Sequence, residues 1–236
     1  MRDRTAKRGL LRRPLRTAVR FALGLVFGFA AAVLVLGLAY RVVTPVSTLM
    51  LGRWLTFHSV ARDAVPLDAI APGLPLAVLA SEDARFCRHD GVDWDALRDV
   101  LDDADEDGPS RGASTIAMQT AKNLFLWPSR SYLRKGLEIP IALYLDLIWP
   151  KRRMMEVYLN IVEWGEGVFG AEAAARRSFG KHARDLSRRE AALLAAALPN
   201  PILRNPARPS RRHQALALRL MARMEAAAPF AECLRR

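Results

Sequence analysis

The sequence predicts a mainly α-helical protein, with one membrane-spanning helix ahead of one helical domain. Three observations predict it. Residues 21–40 form an uncharged, mostly apolar run. From about residue 75 onward, apolar residues recur at the three- and four-residue spacing of a helix face. No convincing alternating strand pattern appears along the chain.

The chain has 236 residues and a formal net charge of +12. Setting aside a membrane segment leaves about one domain of ordinary size, long enough to bury a core without disulfide staples. Residues 1–20 form a basic tail in which eight Arg or Lys residues face Asp3 alone, giving +7 and leaving +5 for the rest. The run FALGLVFGFAAAVLVLGLAY at 21–40 is bracketed by Arg20 and Arg41 and is long enough to cross a bilayer. The basic flank predicts a cytoplasmic N-terminus, with the bulk of the protein on the outer face. A cleaved signal peptide is the rival, but the run is longer than a signal core and its exit lacks the small-residue cleavage pattern. The tail is a topology signal with attraction for anionic lipid, so no nucleic-acid partner is expected.

Residues 41–74 hold Pro45, Pro66, Pro72 and Gly73 and read as a juxtamembrane lead, with Trp54 and Phe57 suited to an interface. The domain is expected over 75–228. Its helices are expected at 75–86, 93–103, 115–125, 131–148, 151–161, 169–178, 187–197 and 210–226. The acidic stretch 102–109 reads as a solvated loop. Cys87 and Cys233 lack metal-ligand spacing, and the sequence neither assigns them a function nor shows whether they approach each other.

Three segments carry residues with chemical potential. In 80–94, Glu82 and Asp83 end an apolar run, and a carboxylate at the end of a buried helix is partly desolvated and suited to general-base work. In 111–126, Ser114 or Thr115 can cap a helix on which Thr115, Gln119 and Lys122 form one polar stripe, and a Lys near a helix N-terminus favours anions. In 129–149, Arg130, Arg134 and Glu138 share one face with Lys135 close by, a set of cations able to hold a polyanion. Taken singly, each is equally an ordinary helix end, an amphipathic helix or a set of surface ion pairs.

Together, in order and wording, they resemble the motifs of the peptidoglycan glycosyltransferase family. ED-x-x-F-x-x-H-x-G-x-D is matched by Glu82, Asp83, Phe86, His89, Gly91 and Asp93. G-x-S-T-x-x-x-Q-x-x-K-N is matched by Gly112, Ser114, Thr115, Gln119, Lys122 and Asn123. R-K-x-x-E is matched by Arg134, Lys135 and Glu138, and K-x-x-x-x-E-x-Y-L-N by Lys151, Glu156, Tyr158, Leu159 and Asn160. The run 188–201 is also similar, so the resemblance covers about residues 60–205. The family usually has two adjacent glutamines after the S-T pair, and here the first is Met118. Members with a second, transpeptidase domain continue further, so a chain ending at Arg236 looks like the monofunctional biosynthetic branch.

The resemblance implies a lysozyme-like helical glycosyltransferase domain that polymerises lipid II, with inversion at the donor sugar and release of undecaprenyl pyrophosphate. Glu82 is then the base and Glu138 the second functional acid. Lys122, Arg130, Arg134 and Lys135 would hold the pyrophosphate, and Ser114, Gln119 and Asn123 would contact substrate. Implied partners are lipid II, the growing glycan strand, membrane lipids and other wall-synthesis proteins, at the bacterial inner membrane. No metal-ligand spacing is visible and no cofactor is required by the sequence; the resemblance alone brings in a divalent cation, Mg or Mn. The alternative enzyme is a wall-cleaving hydrolase or lytic transglycosylase, which needs an acid to protonate a sugar leaving group, not a ring of cations. A non-enzymatic anchor would need neither acid.

Two further matches lack their context. GEGVFG at 165–170 fits a dinucleotide fingerprint but is expected to follow a helix, and Ser178 to Lys181 fits S-x-x-K without its partner motifs.

Overall fold

A computed structural model describes residues 3–102, 114–129 and 131–235. Arg130, Gly112 and most of the expected acidic loop lie outside the described residues. The chain divides into two compact units, Met1–Val42 and Val43–Arg236.

The first unit is a single helix, α1 (Asp3–Ala39). All of the expected spanning run but Tyr40 lies inside it, and the stretch apolar and long enough to cross a membrane is Arg16–Ala39. Its large apolar side chains, among them Phe21, Val26 and Phe27, are exposed, as a lipid-facing helix requires.

The second unit is mainly helical: α2 (Thr48–Leu55), α3 (Gly73–Glu82), α4 (Trp94–Asp102), α5 (Ile116–Phe125), α6 (Tyr132–Ile148), α7 (Lys151–Ile161), α8 (Ala171–Phe179), α9 (Arg188–Ala197) and α10 (Arg211–Ala227). Residues 43–74 are grouped with this unit, where α2 packs on α5 and Thr48 Oγ1 donates to the carbonyls of Leu126 (2.7 Å) and Asn123 (3.2 Å). Ser47 starts α2 by accepting from the Met50 amide at 3.2 Å.

Two helix groups make the core. In one, α3, α9 and α10 pack together. The inner face of α9 is nearly all alanine (Ala191, Ala192, Ala195, Ala197), which lets Leu74, Val78, Leu220 and Met224 seat closely. In the other, α5 packs on α6 and α7 through Ile116, Met118, Leu145, Met154 and Tyr158, all buried. Arg223 of α10 donates to the Ala80 carbonyl, in the last turn of α3 where helix carbonyls lack internal partners.

Three short strands form a sheet in the order β1-β3-β2: β1 (Ala61–Arg62), β2 (Glu163–Gly165) and β3 (Val168–Phe169). β1 runs parallel to β3, and β2 runs antiparallel to it. Strands of two or three residues are too short for alternation to register in a sequence. They also change the setting of the GEGVFG segment. It begins at Gly165, the last residue of β2, not after the helix expected before it, and turns through Gly167, at a positive φ of 69°, into β3.

Cys87 and Cys233 are joined by a disulfide, with Cα atoms 5.6 Å apart. The bond ties the segment after α10 to the loop after α3. Proximity across 146 residues of sequence is a property of the fold, and nothing in the local sequence announces it.

Candidate active site

The site begins where α3 stops. Asp83 leaves the helical conformation and turns its carboxylate across to the other helix group. There it accepts from the Ile116 backbone N–H at 2.9 Å, one of the unpaired donors at the start of α5. The same carboxylate bonds His89 Nε2 at 2.9 and 3.1 Å. Thr115 caps α5 by accepting from Met118 N at 3.1 Å, and its hydroxyl donates to the Gly91 carbonyl at 2.6 Å. Gly91 has φ of 84°, and a Cβ there would sit 2.8 Å from the Ala142 carbonyl of α6, so only glycine fits. Lys151 ties this loop to α7 by donating to the His89 carbonyl and to Asp146 at 2.8 Å. Asp83, His89, Gly91, Thr115 and Lys151 therefore join α3 to α5, α6 and α7 and are mostly withdrawn from the surface.

That junction sets Glu82 beside α5. Its Oε1 accepts from the Ser81 hydroxyl at 2.6 Å and its Oε2 from the Gln119 amide at 3.2 Å. Among the described residues, its hydrogen-bond donors are neutral. Phe86 of the same motif is buried at 1% exposure.

Further along the same surface lies the charged cluster. Ser131 caps α6, whose first turns carry Arg134, Lys135 and Glu138. Glu138 is only 2% exposed. One of its oxygens takes Arg134, and the other takes Lys135 Nζ at 2.9 Å. Arg134 Nε also donates to the Ser129 carbonyl at 2.7 Å, and Lys135 donates to the Ser114 hydroxyl. Arg134 and Lys135 of α6 are thus fixed in direction by a buried acid.

Ser114 connects the two parts: its carbonyl accepts from the Gln119 amide at 3.5 Å and its hydroxyl from Lys135 Nζ. Burial lowers the pKa of Lys122 of α5, Arg134 lowers it further, and the charge of Glu82 acts in the opposite sense. The Lys135 ammonium is pushed down to about 8, first by burial and then by Arg134 and Lys122. Three cations held this close repel one another, and an arriving anion relieves that repulsion.

Asn123 is nearly buried. With Lys122, Ser129 and Arg134 it lines a cavity of about 380 Å³ whose other walls include Thr48, Leu49 and Trp127. Met118, at the position of the usual glutamine, is fully buried in the core, so this chain has no polar group to offer there. Arg130 lies outside the described residues. Hydrogen bonds therefore link Glu82, Gln119, Ser114, Lys135, Glu138 and Arg134 in one chain, and Lys122 lines the same cavity as Arg134.

The fourth motif is divided. Glu156 accepts from Leu67 N at 2.8 Å, and Asn160 exchanges two bonds with the Val65 backbone, so both pin the segment leading to α3. Tyr158, to which sequence reasoning gave no role, points to Gln119 instead. Its place in the motif was the available signal.

The helical domain thus sets one acid among neutral donors and a second, buried acid between two cations. A family model described as Transglycosylase matches residues 50–225, and the chain belongs to that family. The chain is 50% identical over 220 residues to a protein of Brucella suis biovar 1 (strain 1330) named biosynthetic peptidoglycan transglycosylase, covering 93% of this chain and 98% of that one. Proteins of the same name from Rhodopseudomonas palustris (strain HaA2) and Rhodospirillum centenum are 50% and 54% identical, over 90% and 78% of this chain and 95% and 80% of theirs.

Proposed function

We propose that this enzyme is a peptidoglycan glycosyltransferase of cell-wall synthesis that polymerises lipid II into glycan strands. One observation carries the reading: Glu82, among neutral donors, is joined through Gln119 and Ser114 to the Arg134–Lys135–Glu138 cluster.

Glu82 takes the proton from the 4-hydroxyl of the acceptor sugar. The freed oxygen bonds the donor anomeric carbon from the face opposite the leaving group, so configuration inverts. The bond from that carbon to the pyrophosphate oxygen breaks, and its electron pair leaves with undecaprenyl pyrophosphate. Lys122, Arg134 and Lys135, with Arg130, hold the charge that grows on the diphosphate; preorganised cations do so without reorienting during the reaction. Glu138 keeps Arg134 and Lys135 aimed. Ser114, Gln119 and Asn123 contact the substrate.

A divalent cation is the one external group the family resemblance brings in. Both Glu138 oxygens are already engaged by cationic side chains, and among the described residues no three His, Cys, Asp or Glu side chains group to hold a metal. These residues do not fit a protein-held metal, and no step is routed through one.

Residues 1–20 are the cytoplasmic tail, α1 spans the bacterial inner membrane with the domain on its outer face, and the basic flank supplies the orientation. Lipid II and the growing strand are reached along the membrane surface, where membrane lipids and other wall-synthesis proteins are the further partners. Incubating the full-length protein in detergent with labelled lipid II tests the reading. Polymer and undecaprenyl pyrophosphate are expected. Shortening of finished wall, with lipid II left intact, would instead mark a hydrolase.

A further inference from the structure

Tyr158 lies in the middle of α7 and is fully buried. A buried phenol needs a hydrogen-bond partner, and the Tyr158 hydroxyl finds the Gln119 side-chain carbonyl at 3.0 Å. Burial, with the nearby charges of Glu82 and Asp83, holds the phenol pKa well above its usual value, so the hydroxyl keeps its proton and donates. An amide has one acceptor end and one donor end. With the carbonyl of Gln119 engaged by Tyr158, its NH2 faces the other way, toward Glu82 Oε2 at 3.2 Å and the Ser114 carbonyl at 3.5 Å. Turned over, the amide would set a carbonyl against a carboxylate, two acceptors with no proton between them.

We propose that Tyr158 is a positioning residue that acts through Gln119 to fix the direction of the Glu82 carboxylate. The inference rests on Glu82 being the base. Tyr158 does not touch substrate; it decides which end of Gln119 meets Glu82, and the Ser81 hydroxyl steadies the other carboxylate oxygen. The chain of bonds runs from α7 through α5 to the end of α3.

The test is a double-mutant cycle on lipid II polymerisation with the full-length protein. Tyr158→Phe keeps the ring and removes the hydroxyl, and it is expected to lower kcat about tenfold with KM for lipid II little changed. In a Gln119→Ala background the same change is expected to lower kcat no further, because the route to Glu82 is already cut. Unaltered kcat in Tyr158→Phe overturns the inference. So does a loss equally large in the Gln119→Ala background, which would mark a merely structural role. Glu82→Gln, assayed alongside, separates the two levels of the argument. If it polymerises normally, the base assignment fails whatever Tyr158 does. If it is inactive while Tyr158→Phe is not impaired, only the positioning role falls.

Discussion

Glu82 and Glu138 are the same residue type, each on a helix of the same polar surface, yet their surroundings differ in kind. Glu138 is nearly inaccessible and meets two cations, Arg134 and Lys135. Glu82 is half-buried, and its donors are the neutral Ser81 hydroxyl and Gln119 amide. A carboxylate with both oxygens engaged by cations has little to offer an incoming hydroxyl. One held by neutral donors remains available as a proton acceptor. The contrast teaches that one fold can hold one acid between cations and leave another among neutral donors.

The largest expected effect falls on the Glu82 side. Glu82→Gln removes the proton acceptor and keeps the shape, so the polymerisation rate should fall about a thousandfold, within the range of general-base losses. The thermal melting temperature should stay close to that of the parent. A rate near the parent's would erase the distinction between the two acids.

Glu138→Gln should cost about a hundredfold in kcat/KM, the scale of losing one preorganised charge-stabilising contact. Here the loss should come with weaker binding of lipid II, because Arg134 and Lys135 lose their common anchor. Titration of binding against turnover separates this from the Glu82 variant, whose binding should persist.

The cation cluster should also show in pH. Burial and its cationic neighbours push the Lys135 pKa down to about 8. Below that pH the ammonium is present and the diphosphate is held in full. As pH rises through it, the charge is lost and affinity for undecaprenyl pyrophosphate should fall, by at most about tenfold per pH unit for one linked proton. Lys135→Arg keeps its charge across this range, so its binding curve should be flatter.

The smallest effect on the reaction is expected from Cys233→Ser. The disulfide closes a loop of 146 residues in sequence separation. On the chain-entropy account such a bond stabilises by about 4–5 kcal/mol, so the melting temperature should drop clearly while the rate at low temperature stays within about twofold. A rate collapse in this variant would mean that the tie behind Glu82 bears on its position.

Much of this was legible in sequence. The helix expected at 131–148 is found at Tyr132–Ile148, where Leu137, Ile141 and Leu145 recur at helical spacing, and the one expected at 187–197 is found at Arg188–Ala197, where the structure adds a capping box of Ser187 and Glu190. α2 was not legible, since eight residues among prolines read as connecting chain. The site residues were visible through ordered motifs, but not their division of labour. Asp83 and Glu82 are adjacent in sequence, and only the fold turns one to the start of α5 and leaves the other beside Gln119. Met118 read as a departure in a polar motif; the structure puts it in the core.

By itself, the sequence determined the apolar anchor, its basic flank and the period of the helices, because these depend on neighbours a few residues apart. Tertiary structure decided which acid meets cations and which meets neutral donors, which motif residues tie the helices together, and that Tyr158 addresses Gln119. Those properties depend on partners brought together from 37 and 39 residues away. Hydrogen bonds and burial at such separations arise only when helices pack, and no local pattern encodes them.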